Sequence, residues 1–164
     1  MPARPSRWYH CRVADIVYLD VCCFKRPFDD ATQPRVRREA EAVTSILDAA
    51  TSGRLRLVRS PAHDAENERN PREDRRLATR LWLAAAVVIV GLGQESTDRA
   101  RELAGLGFSP LDALHLACAE HSGAQWFATT DDVLLKRAHR HQDRLRVRVV
   151  GPGEIPVQEA GVEA

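Results

Sequence analysis

Asp20, Glu66, Asp112 and Asp131 are the residues best placed to do chemistry, because each stands close to the end of an apolar run or the start of a helix. Brought together without a counter-charge, carboxylates raise one another's pKa, and a divalent cation relieves that conflict. An all-oxygen donor set suits Mg2+ or Mn2+ rather than Zn2+. Such an ion activates a water, polarises a phosphoryl oxygen and stabilises a leaving oxygen, which together amount to phosphodiester hydrolysis. Asp64 or Glu68 could replace Glu66 by a slip of register, and Asp132 could share the role of Asp131. Histidine offers no obvious ligand pair. His139 and His141 are too close for one helix face, and His115, three residues after Asp112, reads as a partly buried helix residue.

Each acid also has an ordinary reading. Asp112 follows Ser109 at the spacing of a capping box. Asp131 and Asp132 follow Thr130 at a helix start, where the helix dipole favours carboxylates. Glu66 sits between Asp64 and Glu68, and surface acids on short helices usually do nothing. Asp20 is the hardest to dismiss, since it ends a buried strand with no helix expected directly after it. The coincidence of the four on one side shifts the balance.

That side is set by the elements. Ile16–Leu19 (IVYL) is a short apolar run of strand formers. A polar loop through Arg26, Pro27, Asp29 and Asp30 follows. Val36, Ala40, Val43, Leu47 and Ala50 then recur on one helical face, with Pro34 near the start and Gly53 placed to end it. Leu55–Arg59 reads as a second strand. Ser60-Pro61 opens a short helix to about Glu68, and Asn70-Pro71 breaks it before another from Arg72 to about Ala85. Val87–Val90 reads as a buried third strand. A helix near Thr97–Leu106 follows, then an apolar helix Leu111–His121 opened by Ser109-Pro110. Trp126–Thr129 is a fourth strand, Asp131 to about His141 a helix, and Val147–Val150 a fifth strand. Short apolar strands alternating with helices imply a parallel sheet covered on both faces. Ligands of such sheets collect at the carboxyl ends of the strands, where the four acids fall.

The bulk numbers bound the rest. A chain of 164 residues fits one domain. The formal net charge is +1, so any surface for nucleic acid must be a local patch. Only Lys25 and Lys136 among the 24 basic residues are lysines. Arginine forks suit phosphate, although a codon-biased genome gives the same excess. The Arg-rich stretches Arg35–Arg38 and Arg69–Arg80 read as solvated helix faces that could also hold a phosphate backbone. Cys11, Cys22, Cys23 and Cys118 form no C-x-x-C pair and no disulfide framework. The run Leu81–Gly93 is too short to span a membrane, and the first 15 residues carry no signal-peptide core. A cytoplasmic protein without membrane association is the expectation.

The motifs together resemble the PIN-domain family. They are IVYLD at Ile16–Asp20, HDAEN around Glu66, SPLDALHLACA at Ser109–Ala119 and FATTDD at Phe127–Asp132, in the family's order over about Ile16 to Ile155. The RPFDD run, Arg26–Asp30, resembles a subgroup of that family. The resemblance implies a three-layer α/β sandwich with a five-stranded parallel sheet flanked by helices. It implies an N-terminal extension at 1–15, a PIN-like domain at 16–155 and a tail at 156–164. It also implies a Mg2+- or Mn2+-dependent endoribonuclease leaving a 3′-hydroxyl and a 5′-phosphate, with Asp20, Glu66, Asp112 and Asp131 catalytic and metal-holding. Thr129 is then the hydroxyl that orients Asp131, with Asp132 in support. Many such chains are toxins of VapBC-like toxin–antitoxin pairs, so a cognate antitoxin protein and a homodimer join RNA as expected partners. Cys22 stands where the family commonly carries a polar residue. That departure motivates a second reading, a catalytically weak PIN-like module binding RNA or protein. A different Mg2+ phosphohydrolase is a third, opposed by the absence of a second Asp at Cys22.

Overall fold

Alternation along the first strand decides which of two cores each side chain enters. In the computed structural model, which describes residues 13–157, β1 (Asp15–Leu19) sends Val17 and Leu19 into one apolar cluster and Tyr18 into the other. β2 (Leu55–Arg59) does the same, with Leu55 and Leu57 on one face and Val58 on the opposite one. Such strands are apolar on both faces because helices cover both faces. Most of the extension expected at 1–15 and of the tail expected at 156–164 lies outside the described residues.

The sheet is completed by β3 (Val88–Ile89), β4 (Trp126–Ala128) and β5 (Arg148–Val150), all parallel, in the order β3-β2-β1-β4-β5. Five helices lie where the sequence signals place them: α2 (Pro34–Thr51), α3 (Pro61–Glu68), α4 (Glu73–Ala84), α6 (Pro110–His121) and α7 (Asp132–Arg140). α5 (Gln94–Gly105) starts three residues earlier than the reading from Thr97. The face of Val17 and Leu19 packs on α2 through Val43, Ile46 and Leu47 and on α4 through Leu83. The face of Tyr18 packs on α3, α5, α6 and α7 through Ala62, Leu103, Leu116 and Leu134. The result is the expected three-layer α/β sandwich. Among the described residues no helix is long and apolar enough to cross a membrane.

Two expectations are corrected. A helix, α1 (Val21–Lys25), begins directly after Asp20, where a loop was expected. Only five residues long, it is too short to show a helical period, yet it buries Val21, Cys23 and Phe24 under the sheet edge. A 3-10 turn at Arg26–Phe28 carries the chain onward. The third strand is also less buried than its apolar composition suggests. It closes one edge of the sheet, and Val87 and Ile89 are each 66% exposed. A continuous apolar run indicates apolar residues on both faces, not cover on both faces.

The strand order positions the site. From β1 the chain moves outward to β2 and β3, then returns across the sheet to β4 on the other side of β1. The order therefore reverses between β1 and β4, and a crevice opens at their carboxyl ends. Asp20 follows β1, and Thr129 to Asp131 follow β4.

Candidate metal centre

Asp20 occupies the N-cap position of α1 with extended backbone, but its side chain makes no capping bond. Its N–H donates to Ala128 O at 2.9 Å, tying the end of β1 to the end of β4. Its Oδ2 accepts from the Thr129 hydroxyl at 2.7 Å and from the Cys22 thiol at 3.3 Å. Cys22 Sγ in turn accepts from Thr130 N at 3.3 Å. The thiol thus bridges the carboxylate of Asp20 and the backbone that follows β4. Asp20 is 7% exposed. Burial raises its carboxyl above the ordinary range and the charge of Glu66 adds to that, while His115 and the two hydrogen bonds pull the other way.

Glu66 comes from α3, held at its start by Pro61 at the first helical position. The neighbouring acids do not compete with it. Asp64 is forked onto Arg59, and Glu68 is exposed. Glu66 Oε2 lies 2.7 Å from His115 Nε2. Burial pushes its carboxyl up, but the bond and charge of His115, with help from Lys25 and His63, outweigh burial and leave its pKa lowered.

His115 is the residue the sequence reading undervalued. It is 1% exposed, fully buried rather than partly so, and it stands among the acids. The ligand atoms of Asp20, Glu66 and His115 all lie within 4.8 Å of one another, a group able to hold a metal ion. Behind His115 runs a chain of buried polar groups. Its Nδ1 is 2.6 Å from the Tyr18 hydroxyl, which is 2.7 Å from Ser60 Oγ. The Ser60 N–H donates to His63 Nδ1 at 3.1 Å. His63 Nε2 therefore carries the proton and donates to Leu19 O at 2.7 Å, one residue before Asp20. Tyr18 stacks on His63 and Phe127 at ring separations of 4.4 and 5.2 Å. Buried polar groups must be satisfied, and here the requirement links the strand end carrying Asp20 to the histidine on Glu66. The only sequence signal was a tyrosine and two histidines at positions that point into the core.

The remaining acids stand on helix starts. Asp112 is one turn before His115 on α6; its N–H donates to Ser109 Oγ at 3.1 Å, so the serine caps as expected, without the reciprocal bond. Its carboxylate has no hydrogen-bond or ion-pair partner among the described residues. Asp131 is the N-cap of α7, its Oδ1 accepting from Val133 N at 2.8 Å and Leu134 N at 3.2 Å. Thr129 Oγ1 accepts from Asp131 N at 3.1 Å while donating to Asp20. Its hydroxyl therefore engages the backbone of Asp131 and also the carboxylate of Asp20. Neither Asp112 nor Asp131 belongs to the group within 4.8 Å. Asp132 is committed elsewhere, in a two-pronged pair with Arg35 at 2.8 and 2.7 Å.

The donors fit a divalent cation. Asp20 and Glu66 each leave one oxygen without a protein partner among the described residues, and a cation relieves the repulsion between two carboxylates at this spacing. A family model described as PIN domain matches residues 17–140. No curated protein matches the chain.

Proposed function

The chain belongs to the PIN-domain family, and from that premise we propose that it is a divalent-metal-dependent endoribonuclease. The observation that supports this most is the meeting of Asp20, Glu66 and His115 beside the reversal of strand order. We assign Mg2+ or Mn2+ to Asp20, Glu66, Asp112 and Asp131. Because Glu66 already engages its Nε2, His115 is assigned to holding Glu66 rather than the ion. Each of the four carboxylates keeps at least one oxygen without a protein partner among the described residues, as ligation requires. The ion would supply electrophilic activation of a phosphoryl oxygen and of water. The side chains do the rest. Thr129 and Cys22 fix Oδ2 of Asp20, and His115 fixes Oε2 of Glu66, so the open oxygens are held in place before substrate arrives.

The non-catalytic alternative rested on Cys22. The 3.3 Å contact of that thiol with Asp20 Oδ2 supports the catalytic reading.

The test is cleavage of single-stranded and structured RNA by purified protein with Mn2+, then with EDTA. Cleavage should need the metal and fall about 100-fold or more in Asp20→Asn, beyond the ~10–100-fold cost typical of losing an outer-shell partner. Equal cleavage by the two proteins would sink the proposal. Expression in cells adds a second readout, since growth arrest by wild type and not by Asp20→Asn is expected of the toxin half of a VapBC-like pair.

A further inference from the structure

The arginine-rich stretches of the sequence are partly neutralised, eight arginines against five acids. Arg35 pairs with Glu39 and Asp132, Arg72 with Asp74, and Arg75 with Asp29. Residues 35–41 hold three cations against Glu39 and Glu41, and residues 68–80 hold five against Glu68, Glu73 and Asp74. The segment 136–148 is different. Lys136, Arg137, Arg140, Arg144, Arg146 and Arg148 face a single acid, Asp143, in a chain whose net charge is only +1. None of the six forms an ion pair among the described residues, and all but Arg137 are exposed.

The placement of these cations is specific. α7 begins beside Asp131 at the acidic edge and runs away from it for nine residues, about 13 Å at the helical rise. Leu134 and Ala138 anchor it to the core. Val133, Lys136, Arg137 and Arg140 line one open groove of about 200 Å3. Cations near a helix C-terminus complement its dipole, which accounts for Arg137 and Arg140. It does not account for Lys136, nor for Arg144 and Arg146 beyond the helix, while Arg148 lies over the Trp126 ring at 5.4 Å.

We propose that this flank binds the phosphate backbone of RNA beyond the cut site and guides it to the acidic edge. The inference rests on the ribonuclease reading for its purpose but not for its test. An electropositive flank beside an acidic centre solves a real difficulty: the carboxylates repel the substrate they cut, so affinity must come from elsewhere on the surface. Arginine forks without an ion pair fit phosphate oxygens.

The experiment compares wild type with K136E/R140E and the neutral K136Q/R140Q, circular dichroism confirming the fold of each. RNA binding is read by fluorescence anisotropy in EDTA across a salt series, with a 20-nucleotide and a 4-nucleotide RNA. Removing two phosphate contacts should flatten the slope of log K against log salt by roughly 1.4 for single strands, with affinity for the long RNA down about 10-fold or more. The short RNA should bind alike to all three. With Mn2+, KM for the long RNA should rise while kcat stays within about twofold. Binding that depends on the flank in a protein that never cleaves would keep this inference and defeat the ribonuclease reading. Unchanged salt slopes, equal losses on both RNAs, or binding only to an acidic protein would overturn the inference, even with cleavage intact.

Discussion

Asp20 and Glu66 are held by side chains from several other elements, whereas Asp112 and Asp131 are held by little beyond their own helix starts. The inner pair stands in front of a chain of buried hydrogen bonds from His115 through Tyr18, Ser60 and His63 to Leu19 O. Of the outer pair, Asp131 is exposed and Asp112 half-buried, each with an oxygen unpartnered among the described residues. Rigidity and charge are thereby divided: one half of the edge fixes geometry at a cost in buried polarity, and the other adds carboxylates at almost no structural cost. A perturbation should therefore register in folding when it touches the inner half and in activity alone when it touches the outer.

Acid is expected to expose that asymmetry most. Burial pushes His63 down to about 3, and its Nδ1 is occupied by the Ser60 N–H. The unfolded chain takes up a proton near the ordinary histidine value of 6.5 and the folded chain does not. Stability from this group is thus complete above 6.5 and is lost as pH falls from there toward 3, on the order of 5 kcal/mol over the full range. Asp20 acts with the opposite sign, because its raised carboxyl is relieved by protonation. Glu66, whose pKa is lowered, loses its contribution only as pH falls through its own, lower range. Between pH 6.5 and about 5 the histidine dominates. Tm measured over that window should fall in wild type and flatten in His63→Gln, whose amide can donate to Leu19 O and accept from Ser60. Parallel curves for the two proteins would remove this account.

Tyr18→Phe sharpens the comparison with a smaller loss. The ring and its stacking on His63 and Phe127 remain, while His115 Nδ1 loses its partner in the core. An unsatisfied buried group costs about 1–3 kcal/mol. If the network also sets the position of Glu66, Mn2+ affinity should fall ~10–100-fold, the range for outer-shell partners. Calorimetric titration with Mn2+ checks it. A lower Tm with unchanged metal affinity would reduce the network to a purely structural device.

How much of this was legible in the sequence follows the same division. The sheet, its parallel sense and the six longer helices could be read because apolar alternation and Pro or Gly punctuation are local signals. The acids could be located because they adjoin strand ends or helix starts. Cys22 as a hydrogen-bonding partner of Thr129 and Thr130 could not, since those contacts depend on β4 lying beside β1. His115 was passed over for a related reason. Its spacing from Asp112 marks one helix edge, but only the packing of α3 against α6 shows that Glu66 lies across from it. α1 was hidden because five residues cannot display a period.

The outer half gives the smallest effect on folding and the cleanest separation of roles. Asp131 caps α7 through Oδ1 alone. In Asp131→Asn the amide oxygen can accept the same two N–H groups, and Asn caps helices about as well as Asp. Stability should therefore change by no more than about 0.5 kcal/mol, the range of surface substitutions. What disappears is the charge. If Asp131 serves the cation, Mn2+-dependent cleavage should drop at least about 10-fold in a protein that melts like wild type. Asp131→Ala is the necessary contrast, since it removes the cap as well and should cost a further ~1 kcal/mol. Equal activity of wild type and Asp131→Asn, with only the alanine variant impaired, would make this residue a helix cap and confine the metal to the inner group of Asp20, Glu66 and His115.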